Sequence, residues 1–235
     1  MVCGATEASI HPISIAGFCR MRALATKFND NPSEASRPFD SARNGFVMSE
    51  GSACLILESL DHALARDKNV KIYGEILGGA LNADANHITN PSGDGAYRCM
   101  KIAMENSKVS YDDVRYINCH ATSTPAGDLA EFRAIKKVFV NQKEKIFLSS
   151  LKGQLGHSLG AAGAVETALT LMACKEKIIP PSINIQKLEP EFETDSTLKI
   201  VQNKPLEFHK EKLIALKNSF GFGGTNVSLC LSSFQ

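Results

Sequence analysis

Val114-Arg115-Tyr116-Ile117-Asn118-Cys119-His120-Ala121-Thr122-Ser123-Thr124-Pro125 is the stretch whose reading decides the fold. It opens on Val, Tyr and Ile, which predict a strand ending at Asn118. Pro125 and Gly127 then punctuate the chain, and a helix is expected over residues 128–140. His120 is left in the loop between strand and helix. The same order recurs downstream. A short apolar run, Ile146–Ser149, leads into Ser150-Leu151-Lys152-Gly153-Gln154-Leu155-Gly156-His157, and a helix is expected over 159–176. A third loop, Asn218-Ser219-Phe220-Gly221-Phe222-Gly223-Gly224-Thr225-Asn226, lies between two apolar runs, 213–217 and 227–231, which read as a hairpin-like pair of strands. Loops at strand ends are how an α/β enzyme gathers catalytic groups from distant sequence. No cysteine or serine stands where a nucleophile for this histidine pair would be expected.

The rest of the chain alternates in the same way. Residues 13–28 have helical spacing, 29–38 form a polar turn region with two prolines, and 53–57 read as an apolar strand. A short helix is expected over Leu60–Arg66 and a strand with glycine bends over 70–81. A helix follows over 95–107, with Asp94 as its cap, and 198–201 reads as a further strand. Charges at 66–71 mark a weak boundary.

Composition is that of an ordinary globular protein: 43% apolar residues, 22% charged, formal net charge +1. No apolar run approaches the ~20 residues of a membrane span. Scattered Lys and Arg give no nucleic-acid groove. Seven cysteines, an odd number and mostly inside apolar runs, point to reduced thiols. The absence of a C-x-x-C pair argues against zinc, and no metal site is expected.

The three loops, with Gly4-Ala5-Thr6-Glu7-Ala8-Ser9, Arg37-Pro38-Phe39-Asp40, Asn44-Gly45-Phe46-Val47-Met48-Ser49-Glu50-Gly51 and His87-Ile88-Thr89, resemble the β-ketoacyl-acyl-carrier-protein synthases. These are the elongating condensing enzymes of the thiolase-like fold. Ala121, where bacterial members often have glycine, resembles the mitochondrial-type enzymes. The resemblance implies a layered αβαβα architecture. It implies fatty-acid elongation by decarboxylative Claisen condensation of acyl and malonyl thioesters carried on acyl carrier protein, in a homodimer. The phosphopantetheine arrives on that carrier, so no resident cofactor is implied. The compartment would be the mitochondrial matrix in a eukaryote and the cytoplasm in a bacterium.

In the family the nucleophilic cysteine lies in a turn upstream of the segment matched by Gly4-Ala5-Thr6-Glu7. That turn would fall before Met1, and Cys3 is too close to serve. The chain is therefore expected to be the C-terminal portion of a synthase, with a remnant of the N-terminal domain over residues 1–67 and the C-terminal domain over 68–235. It is expected not to condense substrates as written, and to leave apolar strand faces exposed. The alternative is a non-catalytic relative that binds carrier protein or pantetheine. A serine hydrolase built on Ser123 or Ser158 ranks last, because no Gly-x-Ser-x-Gly elbow is present.

The chemistry asks for these residue types. Decarboxylation builds negative charge on the thioester oxygen, and two neutral imidazoles each offer one N–H to it. An imidazole with an ordinary pKa of ~6.5 is mostly neutral at cellular pH, and a nearby lysine favours that form. The resemblance assigns the pair to His120 and His157 and the orienting network to Lys152. It makes Phe222 the gate of the acyl pocket, with its backbone N–H in an oxyanion hole and Gly221 and Gly223 allowing close approach. Thr89, Thr122 and Thr124 would line the pantetheine tunnel; an ST-type turn at the helix start is the bland reading of the last two. Glu166, in a helix of small residues, needs a partner if buried. In the family the matching carboxylate lies near the residues matching Asn118, Asn218 and Ser219, in some members around a monovalent cation.

Overall fold

The computed structural model describes residues 1–85 and 93–234. In chain order its elements are β1 (Val2–Glu7), α1 (Pro12–Arg20), β2 (Gly51–Ile56), α2 (Leu60–Arg66), β3 (Glu75–Ala83) and α3 (Asp94–Ser107). Then come β4 (Val114–Asn118), α4 (Pro125–Val138), β5 (Ile146–Ser149), α5 (Lys152–Leu155), α6 (Ala162–Glu176) and β6 (Ile178–Ile179). The chain finishes with β7 (Leu198–Ile200), β8 (Leu206–Glu207), β9 (Ile214–Phe220) and β10 (Thr225–Ser232).

Six strands form one mixed sheet in the order β3-β10-β9-β4-β5-β7. β9 and β10 are antiparallel neighbours, as the flanking apolar runs predict, and β3 pairs antiparallel with β10. From β9 through β4 and β5 to β7 the pairing is parallel. The C-terminal ends of β9, β4 and β5 therefore share one edge of the sheet. The loops that begin at His120, Lys152 and Gly221 all leave from that edge, where ligands of open α/β sheets bind.

Side chains alternate across the sheet with the period of a strand. Ile117 and Leu216 join the core beneath α3 and α4, with Met100, Met104, Phe132 and Ile135. Tyr116 and Ala215, one residue earlier on each strand, join the opposite core with Ala173 and Cys174 of α6. Full burial of side chains of this size contributes ~1.5–3 kcal/mol each. α6 packs on β9 and β10 with one face and on β1 and β2 with another. The order of layers is thus helices, sheet, helix, ribbon. The small residues of α6 permit this close double contact. The outer face of the β1–β2 ribbon is open to solvent, with Val2 70% and Ile56 64% exposed.

Three expectations need correction. The helix expected over 13–28 stops at Arg20. Beyond it the backbone is claimed by a distant residue: Phe46 N donates to Ala23 O (3.0 Å), and Ala25 N donates to Phe46 O (2.9 Å). The helix expected from 159 begins as a 3₁₀ turn over Leu159–Ala161, because Leu159 is held at φ +43°. The cap of α3 is Gly93; Asp94 is the first helical residue and pairs with Arg98 at 3.1 Å.

Candidate active site

The His120 loop is held by a carboxylate from the helix that follows it. On α4, Asp128, Glu131, Phe132 and Ile135 recur at helical spacing and are all buried. Glu131 reaches back to accept from His120 N (2.9 Å) and Ala121 N (2.8 Å). It also accepts from Asn218 Nδ2 at 3.0 Å, which ties the loop to β9. Asp128 accepts from Phe39 N (3.0 Å) and faces the Arg43 guanidinium at 3.4 Å. Burial still pushes its carboxyl up to about 6, against the lowering by Arg43.

The His157 loop is clamped differently. His157 N donates to Val47 O (2.7 Å), and Ser49 N donates to His157 O (3.0 Å). Gly156 precedes it at φ +69°, and a Cβ there would sit 2.8 Å from that of Ser49. Only glycine fits that position without strain. Ser150 joins the two loops: its hydroxyl donates to Ala121 O (2.7 Å) and accepts from Lys152 N (3.3 Å).

These constraints bring the two imidazoles together edge to face, with ring centres 5.4 Å apart. Phe220 flanks His120 at 5.6 Å and Phe46 flanks His157 at 5.2 Å. The Nδ1 atoms of both rings are buried and lack a hydrogen-bond partner among the described residues. Leaving such a buried atom unpaired costs ~1–3 kcal/mol.

Burial, then the charge of Lys152, pushes both imidazoles down. His120 lies well below its ordinary range, and His157 is pushed down to about 3. Behind them is a buried ion cluster. Lys152 Nζ donates to Glu166 Oε1 at 2.5 Å, and Lys217 Nζ lies 2.8 Å from Oε2. The second contact is off the hydrogen-bond direction, so it is an ion pair without an aligned bond. Burial raises the Glu166 carboxyl, but the two lysines outweigh it and hold it below its ordinary value.

The structure brings together His120, His157, Lys152, Glu166, Asn218 and Ser219, each a sequence-predicted site residue. Asn118 lies one step away: its Nδ2 donates to Tyr116 Oη (3.1 Å), which meets Ser149 Oγ at 2.9 Å. The Thr122 and Thr124 hydroxyls bond each other at 3.1 Å. Thr124 is the N-cap of α4, yet its side chain makes no capping bond. Phe222 is 50% exposed at the tip of the β9–β10 turn. Its ring meets Phe18 (6.1 Å), Phe18 meets Phe46 (5.4 Å), and Phe46 meets His157, so an aromatic string joins the turn to the imidazoles. Gly221 N donates to Thr225 O (2.8 Å) and Gly223 holds φ +87°. Thr89 and His87 lie outside the described residues.

Glu131, Ser150, Phe46 and Lys217 were not singled out from the sequence. Glu131 left a readable sign: a carboxylate in the apolar register of a helix. The seven cysteines give no candidate nucleophile in the pocket. Cys99, Cys119, Cys174 and Cys230 are buried, while Cys3, Cys19 and Cys54 lie on β1, α1 and β2. Cys119, though next to His120, packs into the core beneath α3 and α4, and burial pushes its thiol well up. No described helix is long and apolar enough to cross a membrane.

Comparison with known proteins places this geometry. Residues 1–63 match the family model for the beta-ketoacyl synthase N-terminal domain, and 73–186 match that for the C-terminal domain. The chain is 45% identical over its whole length to 3-oxoacyl-[acyl-carrier-protein] synthase 2 of Rhizobium meliloti, covering 54% of that protein. It is 46% identical over 99% of its length to the mitochondrial 3-oxoacyl-[acyl-carrier-protein] synthase of Arabidopsis thaliana, covering 50% of it. A solved complex of a type II polyketide acyl-carrier protein with its ketosynthase, bound to the hexaketide, superposes over the whole chain with TM-score 0.91 at 33% identity, covering 56% of that structure's chain. The chain spans about half the length of the curated relatives it matches.

Proposed function

The chain belongs to the β-ketoacyl synthase family, and from that membership we propose that its protein is a 3-oxoacyl-[acyl-carrier-protein] synthase that elongates fatty acyl chains. An acyl group passes from its carrier to a cysteine thiolate. Malonyl-carrier protein then loses CO₂, and the enolate carbon attacks the acyl thioester, forming the new C–C bond and expelling the thiolate. The single observation that carries this reading is the buried pair His120 and His157, edge to face with ring centres 5.4 Å apart, backed by Lys152, which with burial favours their neutral form. Two N–H donors in a dry pocket stabilise an oxyanion far better than water does, and they bring no charge that must be neutralised first.

Around that pair, Lys152 and Glu166 fix the imidazoles' charge state. Thr122 and Thr124 offer hydroxyls to pantetheine amides, and Phe222 gates the acyl pocket from the turn formed with Gly221 and Gly223. Acyl carrier protein is the partner, as in the solved polyketide complex, with a second copy of the protein as dimer mate. The thiolate is assigned to none of the seven cysteines. One observation favours the narrower reading of a non-catalytic relative that binds carrier protein or pantetheine: Cys119, next to His120, is turned into the core and is not available to take the acyl group. A reaction in the mitochondrial matrix of a eukaryote or in the cytoplasm of a bacterium is the reading that relatives of mitochondrial and of bacterial origin support.

The test separates two half-reactions. Malonyl decarboxylation in His120→Ala and His157→Ala should fall by about a hundred- to a thousandfold, the usual effect of losing one oxyanion donor. In a full-length synthase that carries the acylated cysteine ahead of these residues, acyl loading, read by mass spectrometry, should survive better in both. Normal decarboxylation with failed loading would assign the histidines elsewhere. A stoichiometric acyl adduct on Cys119 or Cys3 would overturn the placement of those thiols.

A further inference from the structure

Lys217 is given no contact with the reacting groups above, yet it is among the most completely buried charges of the described chain, with 1% of its side chain exposed. It lies on β9 opposite Asn118 of β4 in the parallel register. Its ammonium is ringed by oxygens: Glu166 Oε2 at 2.8 Å, Ser219 Oγ at 3.0 Å and the carbonyl of Asn218. Carboxylate, hydroxyl and backbone carbonyl are the donors a hard cation takes. A charge so far from water is costly to keep unless its partners are complete. Glu166 is already paired through Oε1 with Lys152, so neutralising that carboxylate does not by itself require a second lysine.

We infer that Lys217 is a built-in monovalent cation: its ammonium holds the place beside Glu166 that an exchangeable potassium or ammonium ion would take, and it frees this site from dependence on such ions. The side chain is a covalent anchor that links Glu166 of α6 to the turn carrying Phe222. Because it is tethered to β9, it cannot be lost on dilution. It acts through Glu166 and is a positioning residue. The inference concerns the ion cluster alone and holds whether or not condensation is the reaction performed.

The experiment is thermal unfolding of the full chain at fixed ionic strength in choline, potassium and ammonium chlorides. Wild type should melt at the same temperature in all three. Lys217→Ala opens a space lined by the same oxygens, and should melt lower in choline and recover by about 2–4 °C in ammonium or potassium. Lys217→Met fills the space without a charge and should show no recovery. A wild type that loses stability in choline would overturn the inference, since the chain would then need an external ion as well. So would a folded Lys217→Ala indifferent to ammonium, or a Lys217→Met that responds as strongly as the alanine variant. If Lys217→Ala does not fold, Lys217→Ser opens the same space and takes its place in the three salts.

Discussion

Glu131 meets the backbone on either side of the His120 peptide and the amide of Asn218, so one carboxylate sets both the entry of the loop and its distance from β9. Burial raises its pKa, and the three donors oppose that. Glu131→Gln keeps the volume but turns one acceptor oxygen into a donor, which must then face a backbone N–H. Loss of one buried, charge-assisted partner costs ~1–3 kcal/mol. If about half of it appears in the transition state, decarboxylation slows roughly two- to tenfold. The expected signature is a lower kcat with little change in KM for malonyl-carrier protein. An unchanged kcat would show that the His120 loop is held by other contacts. Cys119 marks the same lesson in the opposite direction. It neighbours a catalytic candidate in sequence, yet the period of a strand turns its thiol to the other side, into the core.

At the scale of elements, the site depends on a loop whose geometry is fixed by packing. Gly156 has a left-handed backbone against Ser49, so Gly156→Ala combines backbone strain with a Cβ contact at 2.8 Å. The cost should be about 1–3 kcal/mol, seen as a lower urea midpoint with an unchanged slope. Equal midpoints for variant and wild type would mean that the β2-side segment simply moves aside. The elements read best from sequence were those with local signals: β4, β5, the hairpin of β9 and β10, and the helices opened by Pro125 or closed after Ser107. The end of α1 was not legible, because Phe46 extracts the chain into a bridge that no local pattern announces. Site residues behaved alike. His120, His157 and Lys152 stand in loops with readable punctuation. Ser150 and Lys217 do not, since their importance rests on partners far along the chain. Lys217 in particular reads as the polar end of a strand and turns out to be buried.

The molecule as a whole explains why the pair is neutral. Parallel strands β9, β4 and β5 deliver their loops to one edge of the sheet, α4 closes one side through Glu131, and α6 brings Glu166 from the other. Two imidazoles, two ammonium groups and two carboxylates are thereby enclosed together. The apolar cores on both faces of the sheet supply the stability that such buried charge consumes. Burial and the two lysines act on the histidines in the same direction, and only Glu166 opposes them at His157. Both folded-state values lie below the ordinary ~6.5, so each ring takes up a proton only at a pH well under that and is neutral above it. The direct measurement is the ¹⁵N NMR titration of His120 and His157 in the protein, assigned with the His120→Ala and His157→Ala variants. Both rings should keep the signature of neutral imidazole from about pH 8 to about pH 5. A ring that titrates near pH 6.5, or is already an imidazolium at neutral pH, would contradict the neutral-donor account.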